Sequence, residues 1–121
     1  MAQKILVVDD EPEILRLVES QLRENQYETL SACNGKMGLE IAGREHPDLI
    51  ILDVMMPVMG GLETLRTLKR TSETSSIPVI MLSGKIETSY IMDAQSFGAS
   101  DYLPKPFQPE NLVKSIKRHI L

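Results

Sequence analysis

The sequence predicts an α/β fold, a doubly wound sheet of five parallel strands with five helices. The first observation behind this is a set of three short runs, Ile5-Leu6-Val7-Val8, Leu49-Ile50-Ile51-Leu52 and Val79-Ile80-Met81-Leu82, each apolar at every position. Half-exposed strands alternate apolar and polar residues, whereas uninterrupted runs mark strands covered on both faces, as in a parallel sheet between helices. The second is that helical patterns lie between the runs, so the chain reads as strand-helix repeated five times. Right-handed crossovers then distribute the helices over both faces.

The first strand, Ile5 to Val8, runs into Asp9-Asp10. The helix after it spans Pro12 to Glu24, with Ile14, Val18 and Leu22 four apart and Leu15 joining them. Pro12 suits a first turn, where its missing N–H has no helical partner to lose. Tyr27 to Ala32 is half polar and reads as an edge strand. A short helix follows Gly35, marked by Met37 and Ile41. The third strand ends in Asp53, and a helix carrying Leu62, Leu65 and Leu68 follows Gly60-Gly61. The polar stretch Thr71 to Ser76 reads as a surface loop before the fourth strand, which ends in Ser83. A fourth helix is expected from about Glu87 to Phe97, with Gly98 placed for a C-terminal cap. Tyr102-Leu103 is a weaker fifth strand. The last helix starts at Pro109, buries Leu112, Val113, Ile116 and Ile120, and carries Lys117, Arg118 and His119 near its C-terminal dipole.

With 121 residues the chain has the length of one domain, taken here as residues 1–121. Apolar residues at 42% and charged residues at 25% exclude a disordered chain. Thirteen basic against seventeen acidic residues give a net charge of -4, which leaves no electrostatic footprint for nucleic acid or an anionic membrane. Cys33 is the only cysteine, so there is no internal disulfide framework, and a reducing, cytoplasmic setting is expected. No apolar run is long enough for a signal peptide or a membrane span.

In an open parallel sheet the C-terminal ends of the strands share one edge, where ligands bind. That edge receives Asp9-Asp10, Asp53, Ser83 and Lys105-Pro106. Three converging carboxylates repel unless a cation compensates them. Mg²⁺ is a hard cation that suits one or two carboxylates together with a phosphate. The set matches phosphoryl transfer to a carboxylate, with an Asp as nucleophile and a Lys and a hydroxyl neutralising the transferred oxygens.

Four motifs in order, Val7-Val8-Asp9-Asp10-Glu11, Leu52-Asp53-Val54-Met55-Met56-Pro57 with Gly61, Pro78-Val79-Ile80-Met81-Leu82-Ser83, and Asp101-Tyr102-Leu103-Pro104-Lys105-Pro106-Phe107, resemble the receiver domain of bacterial two-component response regulators, from Lys4 to about Ile120. The resemblance implies a flavodoxin-like strand order 2-1-3-4-5. It implies that Asp53 is the phosphoacceptor, that Asp10 binds Mg²⁺ directly and Asp9 largely through water, and that the backbone carbonyl of Met55 is a further metal ligand. It implies that Ser83 and Lys105 sense the phosphoryl group, that Tyr102 is the aromatic switch, and that the Lys105-Pro106 peptide is cis. The expected donor is a histidine kinase or a histidine phosphotransfer protein. The expected reader of the switched surface, made by the fourth helix, fifth strand and fifth helix, is a downstream protein, an output domain or a second copy of this chain. The chain would catalyse its own phosphorylation and slow dephosphorylation without being an enzyme in the ordinary sense. Departures from the family pattern are Gly60, where an acid is common, and Ser83, where Thr is commoner. Met55 and Lys85 occupy positions that tune phosphoryl lifetime.

Two other functions fit parts of this pattern. A Mg²⁺-dependent phosphohydrolase with an aspartyl nucleophile usually carries a second Asp two residues on, where Met55 stands. A degenerate receiver acting only as an interaction module would not need the intact set Asp9, Asp10, Asp53, Ser83 and Lys105. Met55, Met56 and Met59 read as packing residues, since no Cys or His accompanies them in sequence. Cys33 reads as a small residue at a strand end, His46 and His119 as solvated, and Lys114, Lys117 and Arg118 as a solvated helix face.

Overall fold

Burial on both faces selects the middle of the sheet. Strands β1 (Lys4–Val8), β3 (Leu49–Asp53) and β4 (Val79–Ser83) are buried at every position except Lys4. The half-polar β2 (Glu28–Ala32) and the short β5 (Asp101–Pro104) take the two edges. The order is β2-β1-β3-β4-β5, all pairs parallel. The structure, a computed structural model, describes residues 2–84 and 88–120. Lys85, Glu87 at the expected start of the fourth helix, and Leu121 lie outside the described residues.

Alternation along each central strand divides the core in two. Leu6, Val8, Ile50, Leu52, Val79 and Met81 face one side, and Ile5, Val7, Leu49, Ile51, Ile80 and Leu82 face the other. The first face packs on α2 (Gly35–Glu45), α3 (Gly61–Arg70) and α4 (Thr88–Ser96) through Ala42, Leu65, Leu68 and Ala94. The second packs on α1 (Pro12–Glu24) and α5 (Pro109–His119) through Val18, Leu22, Leu112 and Ile116. Each fully buried aliphatic side chain contributes about 2 kcal/mol, so the scaffold has ample means to hold polar groups at its edge.

Four expectations from the sequence need correction. Helix α2 does not turn Met37 to the core; Met37 is exposed, and Gly35, Gly38 and Ala42 are the buried positions. The reason is close approach, because a Cβ on Gly38 would stand 2.9 Å from Cγ2 of Val8. The segment Thr71 to Ser76 is not wholly a surface loop, since buried Thr74 donates its hydroxyl to the carbonyl of Leu68 at 2.7 Å. That bond satisfies one of the last carbonyls of α3. Ile120 is half-buried but lies past the end of α5, while Ser115, unremarked in the sequence, is fully buried. The C-terminal end of α5 is not simply solvated: Arg118 donates to Asp101 Oδ2 at 3.1 Å, and His119 Nε2 lies 4.0 Å from the same atom.

Gly98 ends α4 at φ +98°, with the N–H of Ala99 bonded to the carbonyl of Ala94 at 2.9 Å. Gly61 is required for a different reason. A Cβ there would overlap the carbonyl oxygen of Asp53 and lie 2.7 Å from Cα of Val54. The start of α3 is thus pressed onto the end of β3. Backbone cannot yield as a flexible side chain can, so Gly61→Ala should destabilise the protein by about 3 kcal/mol, read as a lowered urea midpoint. Gly60→Ala, whose Cβ would meet nothing nearer than 3.9 Å, should change that midpoint little.

Candidate functional site

Each acidic residue reaches the edge by a local device. The Asp9 N–H pairs with the carbonyl of Ala32, continuing the sheet one residue beyond β1. Its Oδ1 then accepts the N–H of Glu11 at 2.9 Å, a turn closed by the side chain that starts α1. Asp53 is the last residue of β3, opposite Leu82, and the next N–H, of Val54, bonds to Leu82 O. Lys105 follows β5, with its N–H on the carbonyl of Ser83 at 2.7 Å and a cis peptide to Pro106. These anchors aim three strand ends at one point.

There, carboxylate oxygens of Asp9, Asp10, Glu11 and Asp53 all lie within 4.8 Å of one another. The Lys105 ammonium sits among them, 2.9 Å from Asp9 Oδ2, 3.1 Å from Glu11 Oε1 and 3.2 Å from Asp53 Oδ1. Asp9 and Asp53 are buried, and Asp10 and Glu11 are exposed. Burial and the nearby charge of Asp9 push the Asp53 carboxyl up to about 6, although Lys105 pulls the other way. Burial pulls the Lys105 ammonium down, but its bonds to Asp9 and Glu11 and the charge of Asp53 outweigh this and raise it.

Hence the cluster is short of positive charge, and its donors are all hard carboxylate oxygens. This is the environment that suits a small divalent cation such as Mg²⁺ and not a soft metal. Two residues after Asp53 stands Met55, with its side chain half exposed, so the second Asp of an aspartyl phosphohydrolase has no counterpart.

Ser83 is fully buried at the end of β4, one residue past the partner of Asp53 in the ladder. Tyr102 lies away from the carboxylates, half-buried against the α2-α3-α4 side of the core with Tyr90, Phe97 and Ala99. Cys33 is exposed, with Sγ 3.4 Å from Met37 Sδ, and exposed His46 caps α2 at φ +48°. Neither belongs to the cluster. Glu11 is the member that sequence reasoning passed over. It stands in the first motif without an assigned role, and its one signal in sequence is its place next to Asp9-Asp10 before Pro12.

A doubly wound parallel sheet that gathers four carboxylates and a buried ammonium at its C-terminal edge makes an acidic site of the kind that suits a hard divalent cation. The chain belongs to the response regulator receiver domain family, whose sequence profile matches residues 5–117. It is 38% identical over 121 residues to the probable transcriptional regulator ycf27 of Porphyridium aerugineum, covering 98% of this chain and 49% of that protein. It is 36% identical to Protein PilH of Pseudomonas aeruginosa, covering 93% of each. Thus the chain spans about half the length of the transcriptional regulators it matches. Among solved structures, the chemotaxis protein CheY4 of Vibrio cholerae superposes with a TM-score of 0.94 at 33% identity, covering 99% of this chain and 100% of that one. The receiver domain of the sensor histidine kinase PA1611 of Pseudomonas aeruginosa, with a TM-score of 0.92 at 28% identity over 99% of this chain and 98% of that one, has a magnesium ion coordinated in its active-site cleft. The chain is therefore a receiver domain of the kind found in two-component signalling. Among the described residues, no helix is long and apolar enough to cross a membrane.

The elevated Asp53 carboxyl has a consequence for stability. In the unfolded chain this group titrates near 3.8, in the cation-free fold at about 6. Between those values the folded state holds the extra proton, so stability rises as pH falls through 6 toward 4, and the penalty is fully present only about one pH unit above 6. Asp53→Asn should therefore be more stable than the cation-free wild type by about 2 kcal/mol at pH 8. Paired urea titrations across pH should show that gap closing as pH falls through 6.

Proposed function

We propose that Asp53 accepts a phosphoryl group from a phosphohistidine of a histidine kinase or histidine phosphotransfer protein, and that Asp9, Asp10, Asp53 and the Met55 carbonyl hold the Mg²⁺ this needs. The observation that carries the proposal is the Lys105 ammonium, which reaches Asp53 and Asp9 together within a four-carboxylate cluster. An Asp53 carboxylate oxygen attacks phosphorus, the P–O bond forms as the donor P–N bond breaks, and the imidazole leaves with the electron pair. Lys105, already 3.2 Å from Asp53 Oδ1, neutralises a phosphoryl oxygen, and the Ser83 hydroxyl is the second group of the chain that orients the phosphoryl oxygens. When bound there, Mg²⁺ would supply the positive charge that the carboxylate cluster lacks. Slow hydrolysis of the acyl phosphate resets the site. The magnesium-bearing PA1611 receiver supports the cofactor reading by similarity. Residues 1–121 are read as one phosphoacceptor domain working in the cytoplasm.

Acetyl phosphate with Mg²⁺ should add one phosphoryl group, seen by intact-protein mass spectrometry. Chelation of Mg²⁺ should abolish it, and so should Asp53→Asn. Equal labelling of Asp53→Asn would place the acceptor elsewhere.

The output reading follows from the same chemistry. New phosphoryl oxygens draw Ser83 and Lys105 toward Asp53, and Tyr102 turns inward into the space that opens beside β4. The surface of α4, β5 and α5 changes with it and meets a downstream protein, an output domain or a second copy of the chain. Support comes from the cavity of about 260 Å³ beside Tyr102, lined also by Ile91, Ala94 and Gln95 of α4 and by Ala99, Ser100 and Asp101. NMR spectra with and without beryllofluoride should show shifts across residues 88–120. Ser83→Ala should still accept phosphate but weaken those distant shifts. Changes confined to the Asp53 pocket would overturn this output face.

A further inference from the structure

The receiver site proposed above uses three aspartates, a hydroxyl and a lysine, yet a fourth carboxylate is bonded to that lysine here. We infer that Glu11 is a positioning residue for Lys105, one that holds the ammonium at the rim of the site whenever the aspartates are engaged by a divalent cation. The inference rests on the Mg²⁺ reading given above.

The ammonium has three carboxylate partners of very different character. Asp9 and Asp53 are buried and are among the proposed Mg²⁺ ligands, whereas Glu11, whose oxygen lies in the same 4.8 Å group, has a side chain 59% exposed and is not one of those ligands. Oxygens committed to a divalent cation have less charge to offer a neighbouring ammonium, so the bonds to Asp9 and Asp53 weaken when the site loads. The bond to Glu11 is the one that survives. Lys105, only 14% exposed, then stays beside Asp53 and does not swing into solvent.

Three features prepare Glu11 for this. Its N–H is fixed by Asp9 Oδ1 at 2.9 Å, so the residue that leaves the lysine also holds the backbone of the one that takes over. It stands at the N-cap of α1, but its carboxylate makes no capping bond and is spent on Lys105 at 3.1 Å. Its exposure makes the pair weak, because water screens it. A weak partner is what the chemistry needs: the lysine must be kept close and then given up to an arriving phosphoryl oxygen, which carries more charge. A buried carboxylate in the same place would hold the ammonium too firmly to release it.

The test needs no phosphorylation. Lys105 would be followed through its ¹⁵Nζ ammonium resonance during titration with MgCl₂, and with MnCl₂ as a second cation probe read by line broadening. In wild type the resonance should remain protected from fast exchange when Mg²⁺ is saturating. In Glu11→Gln it should be protected without cation and broaden away on loading. The same variant should bind Mg²⁺ about three- to tenfold more weakly, since one negative charge has left the cluster. Glu11→Asp separates the two effects: it should restore the affinity to within about twofold through its charge, yet leave the loaded lysine exchanging fast, because the side chain, shorter by one methylene, draws the carboxylate back from the 3.1 Å contact. A general loss of structure would alter the cation-free resonance as well, and would not divide in this way. If Lys105 in loaded Glu11→Gln matches wild type, the positioning role is overturned while the Mg²⁺ reading stands. If neither cation binds wild type, the Mg²⁺ reading fails and this inference with it.

Discussion

One ammonium group ties the functional edge together. Lys105 is bonded to carboxylates from the loop after β1 and from the end of β3, and its own backbone is bonded to the end of β4. Remove its charge and four carboxylates within 4.8 Å of one another would face each other unopposed. Even with it, Asp53 is held well above the ordinary carboxylate range. The fold therefore sustains a site that is electrostatically incomplete, with more negative than positive charge gathered at its edge.

The scaffold bears that cost because almost nothing else in it is compromised. The three central strands are buried on both faces, and the two layers of helices each seal a continuous apolar cluster. One strained residue lies beside the site. Val58, in the loop between Asp53 and α3, holds φ +71° with an exposed side chain, a conformation costly for a β-branched residue. Gly61 closes the same loop by bringing the start of α3 onto the Asp53 carbonyl.

The central strands, the helix order and the converging aspartates were legible because each rests on a local signal. Uniform apolar runs name buried parallel strands, and a polar residue at the end of such a run names the ligand edge. The orientation of α2 was not legible. Periodicity weighs large apolar residues, and α2 buries Gly35, Gly38 and Ala42 because it lies so close to β1. Glu11 was hidden for another reason. An acid at a helix start has an ordinary use as a cap, and nothing in the sequence says that its carboxylate turns away to a lysine 94 residues on. Thr74 and Ser115 were hidden likewise, since a hydroxyl in a polar stretch or on a helix reveals its burial only when its acceptor is known. Strand order was legible only through resemblance to a family, because composition and period do not rank parallel strands.

Asp101 links β5 to α5 with a single carboxylate. One oxygen accepts the N–H of Tyr102 at 2.8 Å, and the other accepts the hydroxyl of buried Ser115 at 2.6 Å and the guanidinium of Arg118 at 3.1 Å. The strand that carries Tyr102 is thereby pinned to the helix behind it at the residue just before the tyrosine. Motion of Tyr102 is thereby directed to its side-chain torsions, because slippage of the strand against α5 would break the two bonds to Ser115 and Arg118 at once. Torsional hops of a half-buried ring are fast beside the making and breaking of an acyl phosphate. β5 therefore gives Tyr102 a fixed pivot: a change that reaches this ring moves the side chain and leaves the strand in place.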